Sequence, residues 1–216
     1  MSRYPALGAH CRTLAQAKAD NPSRPKPAQA GCTALGAGAS LCDAARVRTS
    51  PSRPQLHLET ARLAMRPWLA DDTSWHRDLV AERGNGKPSP QQDAAVIDGL
   101  LARTREHGVV PSVVVLKSIN TPIGYCGLIV GRASIHEPEL AFELFERVHG
   151  NGYATEAATA VLEAAARSGR SRLWATVAPW NAPSFRVLEK LGFRRDRSEW
   201  DDQGEFVWSV LDLAAL

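Results

Sequence analysis

The sequence HGNGYATEA at residues 149–157 carries the strongest local signal in this chain. It places Gly150 and Gly152 between a β-rich run that ends near residue 145 and an alanine-rich segment that begins at Ala154. Small residues let a backbone approach a ligand closely, and the free N–H groups at a helix start bind phosphate oxygens. The stretch therefore predicts a strand-to-helix turn, which either binds a phosphate-bearing ligand or only connects two elements.

The spacing of this turn differs from two well-known phosphate-binding patterns. It lacks the Lys-Ser/Thr ending of the P-loop, and Thr155 stands where the dinucleotide fingerprint G-x-G-x-x-G has its last glycine. The turn therefore favours neither a nucleoside triphosphate nor NAD.

A second turn of the same kind follows downstream. The segment 154–168 predicts a helix with an apolar stripe that stops at Gly169, and Arg172–Val177 predicts the next strand. The run VAPWNAPS at residues 177–184 then leads into a helix over Pro183–Leu191 that Gly192 ends. Two strand-to-helix turns are thus expected side by side.

The rest of the patterned sequence supplies strands and two further helices. A capping box at Ser89-Pro90-Gln91-Gln92 predicts the start of a helix that Gly108 closes. An earlier helix is expected over Thr73–Ala81, with an N-cap from Asp71-Asp72. The predicted strands are 56–66, 111–116, 123–131, 139–145 and 206–211, and the three in the middle suggest an antiparallel meander.

Composition divides the chain of 216 residues into two unlike parts. Residues 1–54 hold eight basic and two acidic side chains and are rich in Ala, Gly, Pro and Ser, which predicts a disordered N-terminal extension. A translation start near Val47 is an alternative explanation of this segment. Residues 55–216 hold 18 basic and 21 acidic side chains and form the predicted folded domain.

Charge, hydropathy and cysteine usage exclude several classes of function. Lys plus Arg (26) nearly balance Asp plus Glu (23), which disfavours direct nucleic-acid binding, and no apolar run is long enough to span a membrane. Cys11, Cys32 and Cys42 lie in the extension and Cys126 in the domain, without metal-ligand spacing. We therefore expect a cytoplasmic protein with no metal site, as a monomer or a homodimer.

Several of these segments together resemble a known superfamily. The run ELAFEL at residues 139–144, then HGNGYATEA, then Asn181–Ser184 and KLGF at 190–193 is similar to the GNAT superfamily of acetyl-CoA-dependent N-acyltransferases. The opening LETARL at 58–63, followed by Arg66-Pro67-Trp68, resembles its RimJ/RimL branch, which acetylates protein N termini. The resemblance implies an α/β (α+β) GNAT acyltransferase fold, with a mixed, mostly antiparallel sheet of six or seven strands and about four helices.

The resemblance also implies where acetyl-CoA binds. The pyrophosphate would rest on the turn's backbone N–H groups, the pantetheine arm would pair with the strand edge near Leu144, and Asn181 would bind the arm or orient the acceptor. His149 departs from the family pattern, which has Gln, Arg or an aromatic residue there. The expected cofactor-binding residues are Leu144, His149, Gly150, Asn151, Gly152, Tyr153, Ala154 and Asn181.

Acetyl transfer requires a neutral amine and a proton for the departing thiolate. By the resemblance Glu139 is the general base, and Glu143, on the same face of the strand, is its rival. Ser184 is the expected proton donor to the thiolate. Cys126 is expected to be a buried, inert thiol, so the amine attacks directly in a ternary complex.

The sequence therefore predicts an N-acetyltransferase that moves an acetyl group from acetyl-CoA to a primary amine. A protein N-terminal amine is favoured by the branch that the chain resembles, and a small molecule such as an aminoglycoside is an alternative. Transfer of a longer acyl group such as succinyl is another, which a cation in the acyl pocket would favour. A non-catalytic CoA-binding module is the alternative of a different class.

Overall fold

The structure is a computed structural model that describes residues 57–107, 109–202 and 204–213. The predicted N-terminal extension lies outside these residues. The described strands are β1 (Leu58–Glu59), β2 (Leu63–Arg66), β3 (Pro111–Leu116), β4 (Thr121–Ile129), β5 (Glu139–Leu144), β6 (Arg172–Val177), β7 (Arg194–Asp201) and β8 (Gly204–Asp212). The described α-helices are α1 (Thr73–Ala81), α2 (Pro90–His107), α3 (Tyr153–Arg167) and α4 (Ala182–Lys190).

All eight described strands join one sheet, in the order β1-β2-β3-β4-β5-β6-β8-β7. Every neighbouring pair is antiparallel except β5 and β6, which are parallel. A mixed, mostly antiparallel sheet with four α-helices agrees with the fold predicted from the sequence. The number of strands corrects the prediction of six or seven.

Two local features account for the extra strands. The segment predicted as one strand over 56–66 is a hairpin, because the Thr60 hydroxyl accepts the N–H of Leu63 and turns the chain between β1 and β2. The sequence does not predict β7, because its residues, RRDRSEWD, show no alternation of apolar and polar side chains, and the strand is exposed almost throughout. It lies at the edge of the sheet, where neither face is covered.

An apolar core lies on each face of the sheet. One core packs α3 and α4 against the sheet, with Cys126, Ala158, Leu162 and Leu188 among its buried members. The other lies under α1 and α2 and contains Trp68, Leu79, Ile97, Leu100 and Tyr125. The sheet is therefore a central layer between two pairs of helices, and the core under α1 and α2 includes side chains of β2, β3 and β4.

Helix boundaries follow the local signals in the sequence. The capping box before α2 is confirmed: the N–H of Gln92 donates to Ser89 Oγ at 3.2 Å, and the N–H of Ser89 donates to Gln92 Oε1 at 2.8 Å. Helix α1 spans the predicted residues. Its N-cap residue Asp72 instead accepts both Nη groups of Arg66, at 2.7 and 2.8 Å, and so fastens the start of α1 to β2.

None of the helices in the described part of the chain is long and apolar enough to cross a membrane. Among the same residues, no cluster of three or more His, Cys, Asp or Glu side chains is arranged to hold a metal ion.

Candidate active site

Strands β5 and β6 part from each other soon after they begin. They share a single pair in register, Glu139 with Trp174, whereas β5 pairs with β4 at six positions and β6 with β8 at six. Because the two strands are parallel, they diverge toward their carboxyl ends. The edge of β5 beyond Glu139 thus has no strand partner on that side.

A cleft of about 410 Å³ fills this opening. Successive side chains of a strand point to opposite faces of the sheet, and the cleft is lined by residues from both faces. On the α3–α4 face it is lined by Asn181 and by the glycine turn, residues 149–154, apart from Asn151. On the α1–α2 face it is lined by Arg83, Tyr125 and Glu143. The cleft therefore extends between the two faces of the sheet.

The glycine turn lies at one end of the cleft. Gly150 and Gly152 both have φ 79°, the left-handed region that glycine adopts without strain, and Gly152 is the N-cap of α3. A Cβ on Gly150 would meet no atom within 4 Å, so the space beside the turn is open. The N-terminus of α3 borders the cleft, and at a helix start the dipole is positive and the first N–H groups have no partner within the helix, which fits the pyrophosphate of an acyl-CoA.

Asn151 is the one predicted cofactor-binding residue that does not line the cleft. Its Nδ2 donates to the carbonyls of Val148 and His149, at 3.1 and 3.2 Å, and closes the turn on itself. The side chain thus stabilises the shape of the turn.

His149 lies in the cleft with its ring directed at β5. Its Nε2 is 2.8 Å from the carbonyl oxygen of Leu144, so Nε2 carries the proton and donates it. The Leu144 carbonyl is on the strand edge that was predicted to pair with the pantetheine arm, and it already has a donor within the chain. His149 therefore ties the turn to the end of β5.

The second predicted turn places Asn181 and Ser184 against the same cleft. Asn181 is the N-cap of α4, and its Oδ1 accepts the N–H of Ser184 at 3.2 Å. Ser184 is half-buried in the first turn of the helix. Asn181 thus binds the backbone N–H of Ser184, and the Ser184 side chain lines the cleft.

Glu139 is buried, with 2% of its surface exposed. Its carboxylate accepts three donors: the N–H groups of Arg132 and Ala133 (the latter at 3.0 Å) and the Thr176 hydroxyl at 2.7 Å. These bonds fasten the loop between β4 and β5 to the first residues of the cleft. Three of the roughly four lone-pair positions of the Glu139 carboxylate are thus occupied within the chain.

Glu143 lies four residues along the same face of β5 and is partly exposed. Arg83, just beyond the end of α1, binds it through Nε, at 2.8 Å from Oε1, and through Nη2. The Tyr125 hydroxyl donates to Glu143 Oε2 at 2.7 Å. Glu143 is thus a carboxylate at the mouth of the cleft, partly neutralised by a cation that also lines it.

Comparison with known proteins identifies the family of this chain. The acetyltransferase (GNAT) domain matches residues 62–194, more than half of the chain, and these residues include both turns and the divergent strands. The chain belongs to the GNAT acetyltransferase family.

Individual relatives are distant. The chain is 33% identical over 87 residues to the N-acetyltransferase YnaD of Bacillus subtilis, whose function is uncharacterised; the match covers 36% of this chain and 50% of YnaD. The chain therefore spans about half the length of the curated relative that it matches.

Two solved structures share the GNAT fold with this chain. RimJ of Mycobacterium smegmatis, solved with a CoA disulfide, is 21% identical, with a TM-score of 0.65 over 78% of this chain and 92% of RimJ. RimL, a ribosomal L7/L12 α-N-protein acetyltransferase solved with CoA, is 14% identical, with a TM-score of 0.63 over 74% of this chain and 99% of RimL. At these identities the likeness concerns the fold.

Sequence reasoning did not predict two arginines of this GNAT domain. Arg83 follows α1 in a loop with no distinctive pattern, and only the fold brings it to Glu143, 60 residues away. The LETARL run assigns no role to Arg62, although this residue contacts the glycine turn. A contact between distant segments leaves no local periodicity, so a single sequence carried no signal for either one.

Proposed function

We propose that this protein is an acetyl-CoA-dependent N-acetyltransferase whose acceptor is the α-amine of a protein N terminus. The proposal rests chiefly on one observation: both candidate base carboxylates of β5, Glu139 and Glu143, already accept hydrogen bonds from groups of the chain. Glu139 has three donors, and Glu143 is bound by Arg83 and Tyr125. Such a site favours an acceptor that needs little help to lose its proton.

The ordinary pKa values of amines decide between two acceptor classes. At pH 7 about a tenth of an α-amine with a pKa near 8 is neutral, against about one lysine side chain in two thousand. A lysine acceptor therefore depends on a strong general base, whereas an α-amine does not. The acceptor of RimL, an α-amine by its description, is consistent with this proposal.

The remaining residues have roles that follow from their positions. Bound acetyl-CoA would supply an activated acetyl thioester. The turn at 149–154 would hold the donor's phosphates on backbone N–H groups, and Ser184 would donate a proton to the departing sulfur. Glu143 would attract the ammonium form of the acceptor to the mouth of the cleft, and the α-amine would lose its proton to water before it attacks the thioester.

The acceptor class is tested with paired peptides of one sequence. One peptide has a free α-amine and no lysine; the other is blocked at its N terminus and contains one lysine. We expect CoA release, measured with a thiol reagent, with the first peptide only. Equal turnover of the blocked peptide would contradict the α-amine assignment, and CoA binding without turnover of any amine would favour a non-catalytic module.

The role of Glu143 is tested by Glu143→Gln, with Glu163→Gln as control because Glu163 lies on the exposed side of α3, outside the cleft. Loss of one carboxylate at the mouth should raise KM for the peptide about tenfold, the effect of roughly 1.4 kcal/mol, while KM for acetyl-CoA stays constant. An unchanged KM for the peptide would show that Glu143 does not bind the acceptor.

Succinyl-CoA in the same assay tests transfer of a longer acyl group. The pairing of Arg83 with Glu143 disfavours this alternative.

A further inference from the structure

Arg62, in the turn between β1 and β2, contacts the glycine turn and the first turn of α3 at three points. Its Nη1 donates to the carbonyl oxygen of Asn151 at 3.0 Å, and its guanidinium lies 4.5 Å from the centre of the Tyr153 ring. Its Nε and Nη2 both lie 2.6 Å from Glu156 Oε2. All three guanidinium nitrogens are thus engaged with residues 151–156.

Glu156 lies in the first turn of α3, beside the N–H groups that are proposed to bind phosphate. Its other oxygen, Oε1, accepts the backbone N–H of Arg62 at 3.0 Å and the hydroxyl of Thr60. Burial alone would raise the pKa of Glu156, but the donors from Thr60 and Arg62 hold it below its ordinary value. Glu156 therefore carries a full negative charge near the phosphate site, and Arg62 offsets that charge.

We propose that Arg62 is a positioning residue for CoA binding: it holds the 149–153 turn in its phosphate-binding shape and neutralises Glu156 without contacting the donor. The proposal rests on the donor assignment made above. It gives a role to the Thr60-Ala61-Arg62 segment, which the proposed catalytic chemistry does not use. It also places a determinant of donor affinity in a hairpin more than 85 residues away in sequence from the turn that it supports.

Removal of Arg62 should impair donor binding more than folding. The Arg62 side chain is 47% exposed, and exposed ion pairs contribute little to the stability of the fold. Without Arg62, the Asn151 carbonyl loses its donor, and Glu156 faces the phosphates without its counter-charge. Both effects act on the pyrophosphate and leave the pantetheine end of the cleft unchanged.

The test compares three ligands by calorimetric titration at constant ionic strength. They are CoA, dephospho-CoA, which keeps the pyrophosphate but lacks the 3′-phosphate, and pantetheine, which has no phosphate. For Arg62→Ala we expect Kd to rise about tenfold for the first two ligands and to stay constant for pantetheine. The matched control is Arg167→Ala, which breaks the Arg167–Glu163 pair at the other end of the same helix.

Two further variants separate the contributions of charge and shape. Arg62→Lys keeps the positive charge but cannot contact Asn151, Tyr153 and Glu156 together, and should give an intermediate Kd for CoA. In the double variant Arg62→Ala with Glu156→Gln, the uncompensated carboxylate is gone, and part of the lost affinity should return. Failure of the double variant to bind CoA more tightly than Arg62→Ala would overturn the charge-neutralising role.

The remaining outcomes distinguish this proposal from the proposed function. A parent protein that binds none of the three ligands would overturn the donor assignment, and this proposal with it. A parent that binds CoA while Arg62→Ala binds it equally well would overturn this proposal alone. A smaller loss with dephospho-CoA than with CoA would show that Arg62 contacts the 3′-phosphate directly, and an equal loss with pantetheine would show a general distortion of the fold.

Discussion

Two glycines with similar positive φ angles lie at opposite ends of α3. Gly152, at the start of the helix, has φ 79°, and Gly169, just beyond its end, has φ 84°. A Cβ on Gly169 would meet no atom within 4 Å, and one on Gly152 would make only an ordinary 3.7 Å contact with Arg62. An alanine at either site therefore costs mainly backbone strain.

This pair provides an internal control for the phosphate-binding turn. Gly152→Ala and Gly169→Ala should each lower the free energy of unfolding by about 1–2 kcal/mol, because alanine is strained in the left-handed region. Only Gly152→Ala should also weaken CoA binding, since it alters the direction of N–H groups at the helix start. Urea denaturation and calorimetric titration measure the two effects, and equal CoA affinity in both variants would contradict the assignment of the turn.

At the scale of elements, one buried polar pair joins α1 to α2. His76 Nδ1 is 2.7 Å from Asp93 Oδ1, and the two residues are only 4% and 1% exposed. Trp68, Trp75 and Tyr125 surround the imidazole. Burial lowers the pKa of His76 below its ordinary value of 6.5, against the attraction of Asp93. The imidazole is therefore neutral, with its Nδ1–H donated to Asp93.

This lowered pKa gives the stability of the protein a pH dependence of known sign. Well above pH 6.5 His76 is neutral in both the folded and the unfolded chain, so its contribution to the free energy of unfolding is fully present. As the pH falls below 6.5 the unfolded chain takes up a proton before the folded one does, so the free energy of unfolding decreases through the folded-state pKa. Urea denaturation between pH 8 and pH 5 measures this loss, and His76→Asn should reduce it.

His136→Asn is the control for this prediction, because His136 is exposed on the loop between β4 and β5. It should leave the pH dependence of the parent unchanged. A parent that becomes more stable as the pH falls from 6.5 would show that the attraction of Asp93 outweighs burial, which is the opposite of what we expect.

At the scale of the whole molecule, Cys126 reports on global unfolding. It lies in the middle of β4 with none of its surface exposed, in the core beneath α3, and burial strongly raises the pKa of its thiol. Access of a reagent to this thiol requires separation of α3 from the sheet. The position also excludes Cys126 as a nucleophile in the folded protein, as the sequence predicted.

We therefore expect Cys126 to be alkylated by iodoacetamide only through unfolding. Mass spectrometry distinguishes the peptide that contains Cys126 from those of the other three cysteines, and the fully denatured protein sets the reference rate. The labelling rate should rise with urea in parallel with the unfolded fraction. Fast labelling that does not depend on urea would show a local opening of β4.

The elements that the sequence predicted well are those specified by local chemistry. The capping box at Ser89 and Gln92, the apolar stripe of α3 and the N-cap at Asn181 each act within four residues, so they can be recognised without knowledge of the fold. The two strand-to-helix turns belong to the same class. Their sequences also carried the resemblance to GNAT proteins, which the match over residues 62–194 confirms.

Only the tertiary structure decided the strand count, the state of the carboxylates and the neighbours of the glycine turn. Strand β7 exists because β8 pairs with it, and its polar sequence has no periodicity of its own. Glu139 and Glu143 appear equivalent along the strand, yet one is buried under a loop and the other is bound by Arg83. Arg62 reaches Glu156 across 94 residues of sequence. Such contacts form only when the fold brings distant segments together, and a single sequence does not show which segments meet.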